Sequence, residues 1–169
     1  FYNCTFYGNT SGDQGGALQA TNGSYLETSL IIENCTFSSN NAVASNGGGG
    51  LRFTNGSCEI LNSSFDNNMS AGVPRDIVGI ITMNYSHLSN TTSATISGGN
   101  NVLNVSGNLG ALADYGGTMP TCSINPGSPL INAGTANLEY DQRGFCRPNT
   151  SDIGAFEYNG VEDLIAPIP

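Results

Sequence analysis

Short apolar runs alternate with clusters of turn residues over the first hundred positions of the chain. Residues 29–32 and 58–61 are rich in β-branched and other apolar side chains, and the tetrapeptide Thr-Asn-Gly-Ser stands at 21–24 and again at 54–57. No stretch of ten or more residues carries apolar side chains at helical spacing. This pattern predicts strands of four to eight residues joined by tight turns.

The strand pattern belongs to a sequence repeat. Asn-Cys-Thr-Phe occurs at 3–6 and 34–37, and the related Asn-Ser-Ser-Phe follows at 62–65, so the intervals are 31 and 28 residues. Each of these Phe residues is followed three positions later by Asn, namely Asn9, Asn40 and Asn68. A glycine-rich step ending in leucine follows the first two copies, at 15–18 and 47–51. Self-similarity at such a period predicts a stacked array of repeats.

The repeat length predicts a right-handed parallel β-helix. About 28 residues hold roughly three short strands with their turns, which is one coil, and successive coils stack about 4.8 Å apart. Phe6, Phe37 and Phe65 are then expected to form one internal ladder. We predict an all-β solenoid with coils over residues 1–105, an irregular C-terminal capping section over 106–158 and an extended tail over 159–169.

Two sets of motifs resemble known secreted proteins. Phe-x-x-Asn with Gly-Gly-Ala-Leu resembles the polymorphic outer-membrane-protein type of β-helix repeat. The segments at 98–101, 108–117, 125–134, 141–144 and 152–158 resemble, in order, the C-terminal part of the choice-of-anchor β-helix domain. The resemblance covers nearly the whole chain to Tyr158, and it implies a region that finishes the helix ahead of a surface-anchoring signal, without catalytic residues. Cys146 departs from it, standing where the family has a small residue or proline.

Composition indicates an extracellular or cell-surface protein. The net charge is −9, with four arginines and no lysine, which argues against binding to nucleic acid or to an anionic membrane surface. No segment approaches 18 consecutive apolar residues, so no membrane span is expected. The chain has no Cys-x-x-Cys and one histidine, so we expect neither a metal site nor a cofactor.

The sequence starts inside a repeat at Phe1, so we expect either a processed chain or a piece of a longer one. An uncapped first coil exposes unpaired backbone and apolar side chains. We therefore expect it to pair with upstream coils of a longer parent chain or with a second copy, giving a head-to-tail filament. The apolar tail after Tyr158 is a candidate strand for such pairing before Pro167.

Eleven of the 22 asparagines stand in Asn-x-Ser/Thr, where chance placement gives about four. Asn3, Asn34 and Asn62 share one repeat column near a bend, where an asparagine can stack into an internal amide ladder instead of carrying a glycan. In a host that performs N-glycosylation, the candidates are Asn22, Asn55, Asn90, Asn104, Asn149, Asn9, Asn68 and Asn84.

Five cysteines in such a chain suggest two disulfides and one remaining thiol. Cys4 and Cys35 share a repeat column, which places their Cα atoms about 5 Å apart in adjacent coils. Cys122 and Cys146 flank the Pro-Gly-Ser-Pro loop and form the second candidate pair, and Cys58 is left over. The alternative is that all five are buried small apolar residues.

Catalytic arrangements find little support in the sequence. Polysaccharide lyases and glycosidases need facing carboxylates or an acidic Ca²⁺ cluster with a base, whereas the acidic residues here are scattered. His87 matches the Phe column of a shorter fourth coil and is expected to be a core or turn residue. Arg143 is expected to form a structural ion pair with one of the nearby acids, and the alternative is a Ca²⁺ site among those acids. We predict a non-enzymatic structural or adhesive glycoprotein; the alternatives are a carbohydrate-active enzyme and a carbohydrate-binding module that contacts surface carbohydrate.

Overall fold

The computed structural model describes residues 1–21 and 29–162, and this part of the chain contains strands and turns but no helix. The repeats contribute β1 Thr5–Tyr7, β2 Thr10–Ser11, β3 Leu18–Thr21, β4 Ser29–Glu33, β5 Thr36–Ser38, β6 Asn41–Ala42, β7 Leu51–Thr54, β8 Ser57–Leu61, β9 Ser64–Asp66, β10 Met69–Ser70, β11 Val73–Pro74, β12 Ile77–Asn84, β13 His87–Leu88, β14 Ala94–Ser97 and β15 Val102–Leu103. The C-terminal section contributes β16 Leu109–Ala113, β17 Thr121–Ile124, β18 Phe145–Cys146 and β19 Val161–Glu162. The predicted all-β class is confirmed.

Equivalent strands of successive repeats pair in parallel. One sheet runs β1-β5-β9-β13-β15, another runs β3-β7-β12-β8-β4, and a smaller one contains β2, β6 and β10 with β11 antiparallel at its edge. The register aligns Phe6 with Phe37 and Phe37 with Phe65. These rings stack with centroids 4.4 Å apart and interplanar angles of 9° and 4°, so the predicted aromatic ladder is confirmed.

The main core lies between these sheets. Its residues come from the strands of every repeat, and Phe37, Phe65, Ile32 and Ile60 have no exposed surface or almost none. Alternate residues of β4 and β8 are buried and exposed, as the two-residue period of a strand requires. Phe6 closes one side of this core and is only partly buried.

The C-terminal section lies along the outer face of the sheet that contains β1, β5 and β9. Thr5 shares a hydrogen bond with the Thr121 hydroxyl, Thr36 Oγ1 accepts the Ala155 N–H, and Asp66 Oδ1 accepts the Gly107 N–H. A second apolar cluster, with Ile124, Leu130, Ile153 and Phe156 at its centre, fills this section. The section therefore packs along the side of three repeats, which differs from a cap that closes one end.

The first residues of the tail are already paired within the chain. Val161 and Glu162 of β19 pair antiparallel with Cys146 and Phe145 of β18. Residues 163–169, the rest of the predicted tail, lie outside the described residues. The tail segment before Pro167 was predicted to pair with another strand-bearing surface. Its first part, β19, is already paired with β18 of the C-terminal section.

Candidate functional site

A ladder of side-chain amides crosses three repeats beside the phenylalanine stack. Asn9 Nδ2 donates to Asn40 Oδ1, and Asn40 Nδ2 donates to Asn68 Oδ1, each over 2.9 Å. The backbone N–H groups of Asn9 and Asn40 donate to the same two oxygens. The ladder therefore joins consecutive repeats through both main chain and side chain.

Asp76 ends the ladder. Its Oδ1 accepts the Asn68 Nδ2 and backbone N–H, while Oδ2 accepts the Ser89 hydroxyl and the Asn90 N–H. Burial raises the pKa of Asp76 to about 6, although these hydrogen bonds favour the carboxylate and lower it. Asp76 therefore accepts four hydrogen bonds at the end of the ladder formed by Asn9, Asn40 and Asn68.

This environment predicts a pH-dependent contribution to stability. Because the folded pKa lies near 6 and the ordinary value is 3.8, the native state keeps a proton that the unfolded state has lost between those values. The stabilisation by protonated Asp76 is thus fully present below about pH 4 and is lost as pH rises through about 6. Relative to Asp76→Asn, the parent's free energy of unfolding should fall over this range and then level. Urea titrations of both proteins from about pH 4 to about pH 7 measure it; parallel curves would contradict the assignment.

The asparagines at the repeat bend form a different column from the ladder. Asn3, Asn34 and Asn62 adopt left-handed backbone with φ of 49°, 50° and 47°, a conformation that asparagine tolerates better than most residues. Asn3 Nδ2 donates to Tyr140 O, and Asn62 Nδ2 donates to Thr135 O. Asn34 Nδ2 and Oδ1 are buried and have no hydrogen-bond partner in the described part of the chain. The expectation that this column forms the amide ladder is therefore wrong, because none of its side chains bonds to the next one in the column.

The predicted glycosylation positions fall into three groups. Asn55, Asn104, Asn149 and Asn9 are exposed, although the amide of Asn9 donates to the ladder. Asn84 and Asn90 are half-buried, and their Oδ1 atoms accept the N–H groups of Gly99 and Thr92. Asn68 is 1% exposed, and its Nδ2 donates to Phe37 O and Asp76 Oδ1, so it is not accessible in the folded chain. Asn22 lies outside the described residues.

All five cysteines are free thiols in the structure, so neither predicted disulfide is formed in it. Cys4 and Cys35 do occupy equivalent positions of paired strands, next to the pair Thr5 and Thr36. Burial raises the pKa of Cys35 to about 12, and its thiol donates to Glu33 O. In the next repeat, the Ser63 hydroxyl donates to Leu61 O in the same way. A thiol and a hydroxyl therefore make the same backbone contact at equivalent repeat positions. The pairing of Cys4 with Cys35 stays a prediction.

The other cysteines are distributed over separate sheets. Cys122 lies in β17 opposite Leu112, whereas Cys146 lies in β18 opposite Val161. Burial raises the pKa of Cys122 to about 11. Cys58 aligns with Leu30 and is buried in the core, as its repeat position indicates. The proposed bond between Cys122 and Cys146 also stays a prediction.

His87 is buried as expected, but its predicted register is wrong by one residue. Leu88 aligns with Phe65 and takes the core position, whereas His87 aligns with Ser64 on the outer face of the sheet. Its Nε2–H donates to Val105 O over 2.8 Å, and Nδ1 accepts from the Ser64 hydroxyl over 3.0 Å. Burial lowers the pKa of His87, which favours this neutral ring.

Two buried ion pairs hold the C-terminal section. Arg143 pairs with Asp141 over 2.7 Å, which confirms the predicted structural ion pair, and its guanidinium lies 3.6 Å from the Phe156 ring centroid. Arg147 pairs with Glu157 over 3.0 Å, a contact that the sequence did not suggest. Burial raises the pKa of Glu157 to about 7 and lowers that of Arg147.

The carboxylates of this network also accept backbone donors. Asp141 Oδ2 accepts the Glu157 N–H, and Glu157 Oε2 accepts the Asp152 N–H. Asp152 in turn accepts the N–H groups of Asn132 and Tyr158. These acids therefore connect distant segments of the irregular chain. Within residues 1–21 and 29–162, no three His, Cys, Asp or Glu side chains gather where they could hold a metal ion.

A shallow groove of about 560 Å³ opens on the outer surface where β7, β12 and β14 run side by side. Arg52, Thr54 and Asn55 line one side, and Ile80, Ser93 and Thr95 line the other. Gly79, which also lines the groove, lies close against β7: it has a φ of 150°, and a Cβ there would lie 2.5 Å from Phe53 O. Ile80 is 74% exposed on the groove wall.

Comparisons with known proteins give no relative from which a role could be read. No family model, no curated protein and no solved structure matches the chain. Among the described residues, no helix is long and apolar enough to cross a membrane.

Proposed function

We propose that the chain is a right-handed parallel β-helix that serves as a structural or adhesive module outside the cell. The fold proposal is supported by the order in which equivalent strands of three repeats pair, with Phe37 aligned to Phe6 and Phe65. Parallel connections of this kind are right-handed in nearly all known cases. The sequence resemblance to secreted β-helix proteins points the same way.

One observation carries the functional proposal: side chains that could perform chemistry are bonded into the fold. Asp76 ends the amide ladder, His87 joins Ser64 to Val105, and Glu157 accepts from Arg147 and Asp152. Each has its polar atoms directed at neighbouring segments of the chain. Because these carboxylates and this imidazole bond to the fold itself, they support a structural role. The same bonding disfavours the alternative of a polysaccharide lyase or glycosidase.

The exposed edge of the first repeat supports the proposed partner. Strands β1 and β3 each stand at the end of a sheet, whereas residues 1–3 already pair with the edge of β4 at Glu33. Phe1 and Tyr2 are 46% and 54% exposed. Edge strands with apolar neighbours favour pairing with another strand-bearing surface. We propose that upstream repeats or a second copy of this chain cover this edge.

Location and glycosylation in the native source test this proposal. The chain has no lysine for amine-reactive labels, so antibody labelling of intact cells is the suitable measurement. We expect surface or secreted signal and, where the host N-glycosylates, sugar on the exposed Asn55, Asn104 and Asn149 and none on the buried Asn68. Labelling that requires permeabilised cells, or new reducing ends released from a polysaccharide by the purified protein, would contradict the proposal.

A further inference from the structure

The four arginines of the chain have two different environments. Arg143 and Arg147 are neutralised by buried carboxylates. Arg52 and Arg75 have no ion pair among the described residues, and each donates through NH1 to a carbonyl of the loop at 45–46, over 2.9 and 2.6 Å. Both also have a buried Nε without a hydrogen-bond partner in the described part of the chain. In a chain of net charge −9, these two guanidiniums are uncompensated positive groups.

Only one of these two arginines lines the groove. Arg52 lies on the outward side of β7, between Gln19 of β3 and Val78 of β12. Arg75 precedes β12 and is not among the residues that line the groove. The groove thus combines one unpaired guanidinium with the hydroxyl and amide groups of Thr54, Asn55 and Thr95.

We propose that this groove binds an acidic polysaccharide, with Arg52 receiving the carboxylate of a uronic acid residue. A guanidinium recognises a carboxylate through two parallel, charge-assisted N–H donors, whereas a neutral sugar offers these donors only uncharged hydroxyl acceptors. The hydroxyl and amide groups along the walls match the hydroxyl groups of a sugar chain, and the exposed Ile80 side chain offers an apolar surface to the face of a sugar ring. The inference rests on the proposed adhesive function, for which it names the ligand class.

The geometry also explains why the binding would be non-covalent and reversible. Among the residues that the structure describes, no acidic side chain lines the groove, and its other polar groups are hydroxyls, amides and backbone. The groove therefore presents recognition groups to a carbohydrate.

Binding of a defined probe tests the assignment. The probe is an oligogalacturonate, titrated into ¹⁵N-labelled protein from a host that adds no glycans, with a neutral galacto-oligosaccharide of the same length as control. We expect amide shifts at Val78, Ile80 and Thr95 with the acidic sugar only, and weaker binding as salt rises. Arg52→Gln should weaken binding about tenfold or more, since a charge-assisted hydrogen bond is lost.

Arg75→Gln is the matched control, because Arg75 makes the same type of loop contact but lies outside the groove. It should bind the probe as the parent does. The proposal is overturned if the neutral sugar binds equally well, if Arg52→Gln and the parent have equal affinity, or if no groove amide shifts. Such a result leaves the proposed extracellular role standing, because that role is tested by location in the native source.

Discussion

Phe37→Ala is expected to lower the free energy of unfolding by about 3–5 kcal/mol. The ring has no exposed surface, and Phe6 and Phe65 stack on its two faces with centroids 4.4 Å away. Truncation leaves a cavity between two parallel rings that belong to different repeats, and neither ring can move without shifting its strand. Chemical denaturation followed by circular dichroism measures the loss.

Phe1→Ala makes the same truncation at an open position and serves as the control. Phe1 is 46% exposed and touches Phe6 edge to face at 5.4 Å. Its removal should cost about 1 kcal/mol or less, since it opens no enclosed cavity. Equal losses for Phe37→Ala and Phe1→Ala would show that the aromatic ladder is not the centre of the core.

Arg147→Met is expected to be similarly severe above neutral pH, where Glu157 is ionised, at about 3–5 kcal/mol. The change leaves the Glu157 carboxylate buried without its counter-ion, and the carbonyls of Asp152 and Gly154 lose their guanidinium donors. Because burial already raises the pKa of Glu157 to about 7, loss of Arg147 raises it further. The carboxyl then holds its proton at neutral pH, so the penalty should be largest above neutral pH and should shrink as pH falls.

Two further variants separate charge from packing. Arg147→Met with Glu157→Gln removes the uncompensated charge and keeps an acceptor for the Asp152 N–H, so it should recover part of the stability. Arg75→Met makes the same truncation at a side chain outside the network and should change stability by about 0.5 kcal/mol. A double variant no more stable than Arg147→Met above neutral pH would contradict the electrostatic explanation.

The repeat could be predicted from sequence because one residue type recurs at nearly equal intervals. Phe6, Phe37 and Phe65 occupy the same register, and their alignment follows once parallel pairing is assumed. The register failed at His87 because the following repeat is shorter and Leu61 aligns with Asn84, so Asn62 has no asparagine opposite it. A one-residue shift changes which face a side chain occupies.

The two asparagine columns could not be told apart from their spacing. The positions of Asn34 and Asn40 are both occupied by asparagine in successive repeats. Asn34 adopts a left-handed backbone conformation, whereas the side chain of Asn40 bonds to the asparagines of the neighbouring repeats. The hydroxyl residues that complete the sequons also have structural uses: Thr36, for example, accepts the Ala155 N–H. Much of the sequon excess thus follows from the needs of the fold.

The contacts of the C-terminal section depend on segments with no repeat to align. Sequence indicated that Arg143 would pair with an acid, because charged residues cluster in an otherwise neutral stretch. It did not show Arg147 with Glu157, which are ten residues apart and meet only after the section folds against β1, β5 and β9. The groove at Arg52 is likewise formed by three strands that are distant in sequence.

A crystal structure of the isolated chain is the most direct test of the central claim that these repeats wind into a right-handed parallel β-helix held by side-chain ladders. We predict right-handed coils, with Phe6, Phe37 and Phe65 stacked inside and the amides of Asn9, Asn40 and Asn68 bonded in sequence to Asp76. Left-handed coils, antiparallel pairing between repeats, or an Asn40 side chain pointing to solvent would contradict it.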